Sequence, residues 1–185
     1  AITEPVTIDP DRIGSLIASL PDEIDEGAPV AQWQRHATAV NLAPNQSAIA
    51  IVIDDLGNST ERLDHVLTLE VPLNLSFLSY ASGLPAMVTR ARQKGHEILV
   101  ILPMEPMDGA IDAGMNTLTS QMTSIELQQW IDWHLGRIDG YVVLNNHMGS
   151  KCTANSAGMA HVINAAKDRG LIFLDSRTTN KTVGS

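Results

Sequence analysis

A single cysteine, Cys152, is the only thiol in this 185-residue sequence, so an internal disulfide is excluded. That leaves the compartment open, because proteins of oxidising compartments need not carry disulfides. Basic residues are also scarce. There are 12 Lys+Arg against 21 Asp+Glu, a formal net charge of -9, and the cations are spread thinly along the chain. DNA or RNA is therefore not an expected partner, since phosphate binding needs a concentrated basic face. No apolar run approaches the ~20 residues of a membrane span, so no transmembrane segment is expected. No signal peptide opens the sequence, which starts Ala1-Ile2-Thr3-Glu4-Pro5 like an internal cut. It stops in the loop-like run Asn180-Lys181-Thr182-Val183-Gly184-Ser185, and both ends read as artefacts of truncation or order. Internal repeats and low-complexity segments are missing too. Nothing specifies an oligomeric state.

What is present is globular. A composition 44% hydrophobic and 18% charged supplies ample apolar material for one core, and the length is short for two ordinary domains. Residues 1–47 stand apart. Ile13, Leu16, Ile17 and Leu20 at i, i+3, i+4, i+7 predict a short helix over Pro10–Leu20. Asp22 to Asn45 is acidic and punctuated by Pro21, Pro29 and Pro44, which reads as an extended arm or linker with Trp33 as its anchor.

From residue 48 onward strands and helices alternate. The apolar run Ala48–Ile53 predicts a strand buried on both faces. Further strands are expected over Leu73–Leu78, Glu97–Leu102 (broken by Pro103), Tyr141–Leu144 and Leu171–Leu174. Helices are expected after the Asn58-Ser59-Thr60 cap, over Leu84–Lys94 up to Gly95, after the capping box Thr123–Glu126, and over Met159–Arg169. Such alternation implies βαβ units and a mainly parallel sheet, open or closed into a barrel. Residues 48–185 are thus read as one α/β domain.

Functional residues of such sheets gather at the carboxyl ends of the strands. There the sequence places Asp54-Asp55, then Pro103-Met104-Glu105, Asn145-Asn146-His147 and Asp175-Ser176-Arg177. Core packing does not require four strands to deliver polar groups at one end. In the Asp54-Asp55 pair one carboxylate can hold a cation while its neighbour handles a proton; alternatively one caps a helix and the other faces solvent. His147 is a candidate ligand or general acid/base, or else a turn histidine bonded to the backbone. Glu105, between two prolines, is either an acidic member of the site or a loop charge. Asp175 with Arg177 is either an orienting catalytic pair or a structural ion pair. Cys152, close to His147 in sequence, is either a reactive thiol or a small packed side chain. The remaining histidines are read as surface or satisfied core.

Four stretches carry a resemblance: Ile51-Val52-Ile53-Asp54-Asp55-Leu56-Gly57, Leu102-Pro103-Met104-Glu105-Pro106, Asn145-Asn146-His147-Met148-Gly149-Ser150 and Leu174-Asp175-Ser176-Arg177-Thr178-Thr179. In this order they resemble the divergent polysaccharide deacetylase family, distant relatives of the NodB-type carbohydrate esterases. The resemblance implies an irregular (β/α) barrel, a carbohydrate substrate or ligand, and removal of acetyl groups from N-acetylated sugars assisted by a divalent metal, zinc foremost. It assigns Asp54 as base, Asp55 as metal ligand, and His147 as second ligand or acid. A periplasmic or membrane-anchored location is implied as well. Many members carry a histidine just before the Leu-Pro-Met run, where this chain has Ile101; Glu105 is the expected substitute ligand. The family also continues past this C-terminus with further strands and a Gly-His-Pro segment, so the barrel is expected to be incomplete and metal binding weak. The rival expectations are a catalytically lapsed glycan-binding module using the same cleft and, less well matched, a phosphoacceptor domain.

Overall fold

The computed structural model describes residues 30–40, 43 and 45–184. The helix expected over Pro10–Leu20 lies outside the described residues. In chain order the elements are α1 (Gln32–His36), β1 (Val52–Leu56), α2 (Thr60–Val66), β2 (Asn74–Leu78), α3 (Leu84–Gln93), β3 (Glu97–Met104), α4 (Ser124–Leu135), β4 (Val143–Met148), α5 (Ser156–Asp168) and β5 (Ile172–Leu174). Each neighbouring strand pair is parallel, and the sheet order is β1-β2-β3-β4-β5. Parallel neighbours cannot be joined by a tight turn, and α2, α3, α4 and α5 supply the four crossovers.

The helix-bearing face holds the main core. Leu56, Leu75, Phe77, Val100, Leu102 and Leu144 pack there with Leu84, Leu127, Ile131 and Val162. Leu78, Leu99 and Ile101 are equally buried but fall outside that cluster, because strand alternation turns them to the opposite face. This opposite face is the inside of a curl. Ser76 on β2 bonds Asn145 on β4, while Asp54 and Asp55 on β1 reach Asn145 and His147 on β4. In a flat sheet, strands three places apart would be separated by about 14 Å, so only a sheet rolled toward a barrel brings these side chains together. Among the described residues β1 and β5 are the edges of the sheet, and the architecture is an incomplete irregular (β/α) barrel.

Local differences from the sequence reading have physical causes. β1 begins at Val52, not at residue 48, and it is not sandwiched. The residues leading into it stay open, Ile49 87% and Ile51 49% exposed, and within the edge strand Val52 is 38% exposed. β3 runs through Pro103 to Met104. Proline lacks an N–H, but on that side β2 has already ended at Leu78, and Leu118 takes its place, donating to the Pro103 carbonyl and accepting from the Glu105 N–H. β4 runs from Val143 to Met148, so Asn145-Asn146-His147 lies inside a strand, not after one. Two buried asparagines are tolerated because their amides are bonded, Asn145 to Ser76 and Asp54, Asn146 to the Met148 carbonyl and the Ser176 N–H. α5 starts earlier than expected, capped by Asn155, whose side chain accepts from the Gly158 N–H.

The described part of the arm lies across the amino ends of the strands. Gln32 Nε2 donates to the Tyr141 carbonyl, the Trp33 N–H to Gly170, and the Thr38 N–H to Glu97 Oε1. The Trp33 ring is 37% exposed, so it is the backbone and Gln32 that fasten this segment.

Candidate functional site

A β-bulge builds the site. Ile53 pairs with Leu75 and Leu56 with Phe77, so Asp54 and Asp55 together stand opposite Ser76 alone. One extra residue on β1 breaks the strict alternation that would send neighbouring side chains to opposite faces. Asp55 absorbs the irregularity with a left-handed backbone, φ 57°, which aspartate tolerates better than most residues. Both carboxylates therefore reach β4 on the inner face, while Leu56 returns to the helix-side core.

On β4, Asn145 and His147 are two residues apart and share that inner face. His147 Nδ1 lies 2.8 Å from Asp55 Oδ1, with the ring 18% and the carboxylate 48% exposed. A carboxylate only accepts, so the proton of this contact belongs to Nδ1, and the neutral ring presents Nε2 as its free lone pair. Asp55 thus orients His147 and fixes its tautomer. Alongside, the Asn145 amide donates to Asp54 Oδ1 at 3.4 Å, and Ser76 Oγ donates to Asn145 Oδ1 at 2.8 Å. The Asp54 carboxylate can only accept, so it sets which way the buried Asn145 amide faces, and the Ser76 hydroxyl turns to suit. Ser76 was missed in the sequence; its one signal is a hydroxyl interrupting the apolar run Leu73–Leu78.

Glu105 and Asp175 sit in networks of their own. Glu105 accepts from Lys151 Nζ at 2.7 Å and from the N–H and hydroxyl of Ser120. Burial pushes its carboxyl up, but the bonds from Lys151 and Ser120 outweigh that and hold it below its ordinary range. Asp175 accepts from the Arg177 N–H and from Thr182 Oγ1, a local turn in place of an ion pair with the Arg177 side chain. Among the described residues no three His, Cys, Asp or Glu side chains gather closely enough to hold a metal ion. Asp55 and His147 present two donors, one short of an ordinary zinc site with its three protein ligands. As it stands, the site does not fit a tightly held zinc.

Tyr80 lies just past β2, within the field of Asp55. Burial raises its phenol above the usual range, against a hydrogen bond with Asn58, and the charges of Asp55 and Asp112 add to the rise. Its ring lies so close to Gly114 that an added Cβ there would meet it at 2.5 Å, which pins the long loop before α4 against the site.

Cys152 is a buried free thiol. Burial, then the charge of Glu105, pushes its thiol up to about 11. Only the thiolate reacts, so iodoacetamide at pH 8 should alkylate the folded chain roughly two orders of magnitude more slowly than the urea-unfolded chain. Mass spectrometry over time reads this directly. Equal rates in the two states would show that the thiol is accessible and ionised.

The sequence is 37% identical over 134 residues to the uncharacterized protein YibQ of Escherichia coli, a match covering 72% of this chain and 42% of that protein. It is 29% identical over 138 residues to an uncharacterized protein of Haemophilus influenzae, covering 75% of this chain and 49% of the relative. The chain thus spans about half the length of the curated relatives it matches. The crystal structure of uncharacterized protein ATU2773 from Agrobacterium tumefaciens superposes with a TM-score of 0.78 at 24% identity, over 83% of this chain and 63% of that one, and so shares the fold. The divergent polysaccharide deacetylase model matches residues 51–185, from the run leading into the bulged carboxylates through β4 and β5. The chain belongs to the divergent polysaccharide deacetylase family.

Proposed function

We propose that the cleft between β1 and β4 hydrolyses the acetamido group of N-acetylated sugars. The observation that carries this reading is the bulge that aims both Asp54 and Asp55 at β4, one carboxylate at Asn145 and the other at His147. Asp54 is the group placed to take a proton from water as its oxygen bonds to the acetyl carbon. His147, once protonated, is placed to give a proton to the departing amine as the C–N bond breaks, and Asp55 steadies that imidazolium. The products are acetate and the free amino sugar. A divalent metal would be held by Asp55 and His147 and would polarise the acetyl carbonyl, and with two donors its binding is expected to be loose in this chain. A periplasmic or membrane-anchored setting belongs to the same reading; among the described residues no helix is long and apolar enough to cross a membrane.

The two-donor site favours a second reading, a glycan-binding module without turnover. Incubation with N-acetylglucosamine oligomers separates the two. Release of acetate, measured enzymatically with and without added zinc, is the expected result. Saturable binding by calorimetry with no acetate would establish the second reading. Neither binding nor release would remove carbohydrate from the account of this cleft.

A further inference from the structure

One patch of the buried inner face of the curl is polar. Ser76 on β2 and Asn145 on β4 are fully buried, and their neighbours there, Leu78, Leu99 and Ile101, are buried hydrocarbon. Ser76 Oγ donates to Asn145 Oδ1 at 2.8 Å, reaching past β3, which lies between the two strands. The Asn145 amide then donates to Asp54 Oδ1 at 3.4 Å. Asp54 itself is exposed. The run of bonds therefore leads from a hydroxyl shut away from solvent to a carboxylate in contact with it.

Stability does not require this pair. The net contribution of a buried hydrogen bond is small, and replacing both partners with apolar groups of similar shape is close to neutral. Alanine at 76 and leucine at 145 are near in size to the residues present. Both would stand beside hydrocarbon, since Ser76 pairs with Leu99 and Asn145 with Ile101. What an apolar pair would lose is the amide. A carboxylate only accepts, so Asn145 turns its NH2 to Asp54 and its carbonyl to Ser76, whose hydroxyl holds that far end. Asp54 needs such support, because it stands in the bulge where the pairing of β1 with β2 is interrupted.

We propose that Ser76 and Asn145 are positioning residues for the base: together they hold Asp54 Oδ1, and leave Oδ2 as the oxygen that takes the proton from water. This rests on the deacetylase reading above and goes beyond it. It gives the placement of Asp54 to two buried residues that touch no reacting atom, one of them a serine inside an otherwise apolar strand.

The test compares variants with wild type for acetate release from N-acetylglucosamine oligomers and for Tm. In Ser76→Ala, kcat should fall about ten- to hundredfold with KM little changed, the scale on which misplacing a reacting group by about an ångström acts. The double variant Ser76→Ala/Asn145→Leu should show at least that fall while melting within a few degrees of wild type, since the exposed Asp54 carboxylate it leaves unpaired stays in water. In the Asp54→Asn background, Ser76→Ala should lower kcat no further, because a residue acting through Asp54 then has no base to place. Wild-type kcat in both variants overturns the proposal. An equal fall in the two backgrounds does so too, and a double variant that melts far below wild type assigns the pair to the fold instead. A wild type that releases no acetate is a different failure: it overturns the deacetylase reading itself, and this role with it.

Discussion

Asp54→Asn should lower acetate release from N-acetylglucosamine oligomers by roughly 10²–10⁴-fold, the range over which a positioned general base contributes. The substitution is nearly isosteric. Its carboxamide oxygen can still accept from the Asn145 amide, so the bulge and the fold should survive and the Tm should move little. Glycan affinity should also hold, because the loss falls on proton transfer and not on the walls of the cleft. Measuring kcat and KM together separates these effects: the drop belongs in kcat. A variant that keeps wild-type kcat would mean that Asp54 is not the base. His147, with its Nε2 lone pair free, would then be the next group to test.

Ile101→His should raise zinc affinity at least about tenfold, a gain of about 1.4 kcal/mol. Ile101 pairs with Asn145 on one side and Leu78 on the other, so all three side chains lie on the inner face of the curl. Asn145 touches Asp54, and His147 stands one layer further along β4, paired with Pro103. An imidazole at 101 would therefore enter the layer directly beneath the Asp55–His147 pair and supply the third donor. Without metal the variant should be less stable by about 1–3 kcal/mol, because Ile101 is fully buried and an unpaired ring nitrogen is costly there. Zinc should restore much of that loss, since a ligand bound only by the folded state stabilises it. Calorimetry with zinc and melting curves with and without it read both halves. Unchanged affinity would mean that the strand-three position is not aimed at the pair, and the ligand arrangement inferred from the family resemblance would not carry over.

Much of the architecture was legible in the sequence because it rests on local rules. The capping box Thr123–Glu126 opens α4 as expected, with the Thr123 side chain accepting from the Glu126 N–H and the Glu126 carboxylate closing the box. The alternation of apolar strands with amphipathic helices predicts a parallel α/β sheet, and the strand ends point to Asp54, Asp55 and His147. Where the reading slipped, composition outweighed geometry. Asn145-Asn146 looked like the end of β4 because asparagine is a turn former, yet paired amides let the strand continue. Pro103 looked like a strand breaker, yet its missing N–H faces a place where β2 has stopped.

The sequence by itself determined the order of strands and helices from β1 onward and which end of the sheet carries the acids, whereas the short α1 falls in the segment read as an extended arm. Only the tertiary structure decided which of those groups meet. It joined Asp55 to His147 and Asp54 to Asn145, tied Glu105 to Lys151, closed Asp175 into its own turn, and fastened Thr38 to Glu97 at the far end. The reason is physical. Local propensity and periodicity act over a few residues, whereas these contacts depend on a one-residue bulge, the curl of the sheet, and the path of the arm across the strand entrances. Each of these is set by packing between segments far apart in the chain.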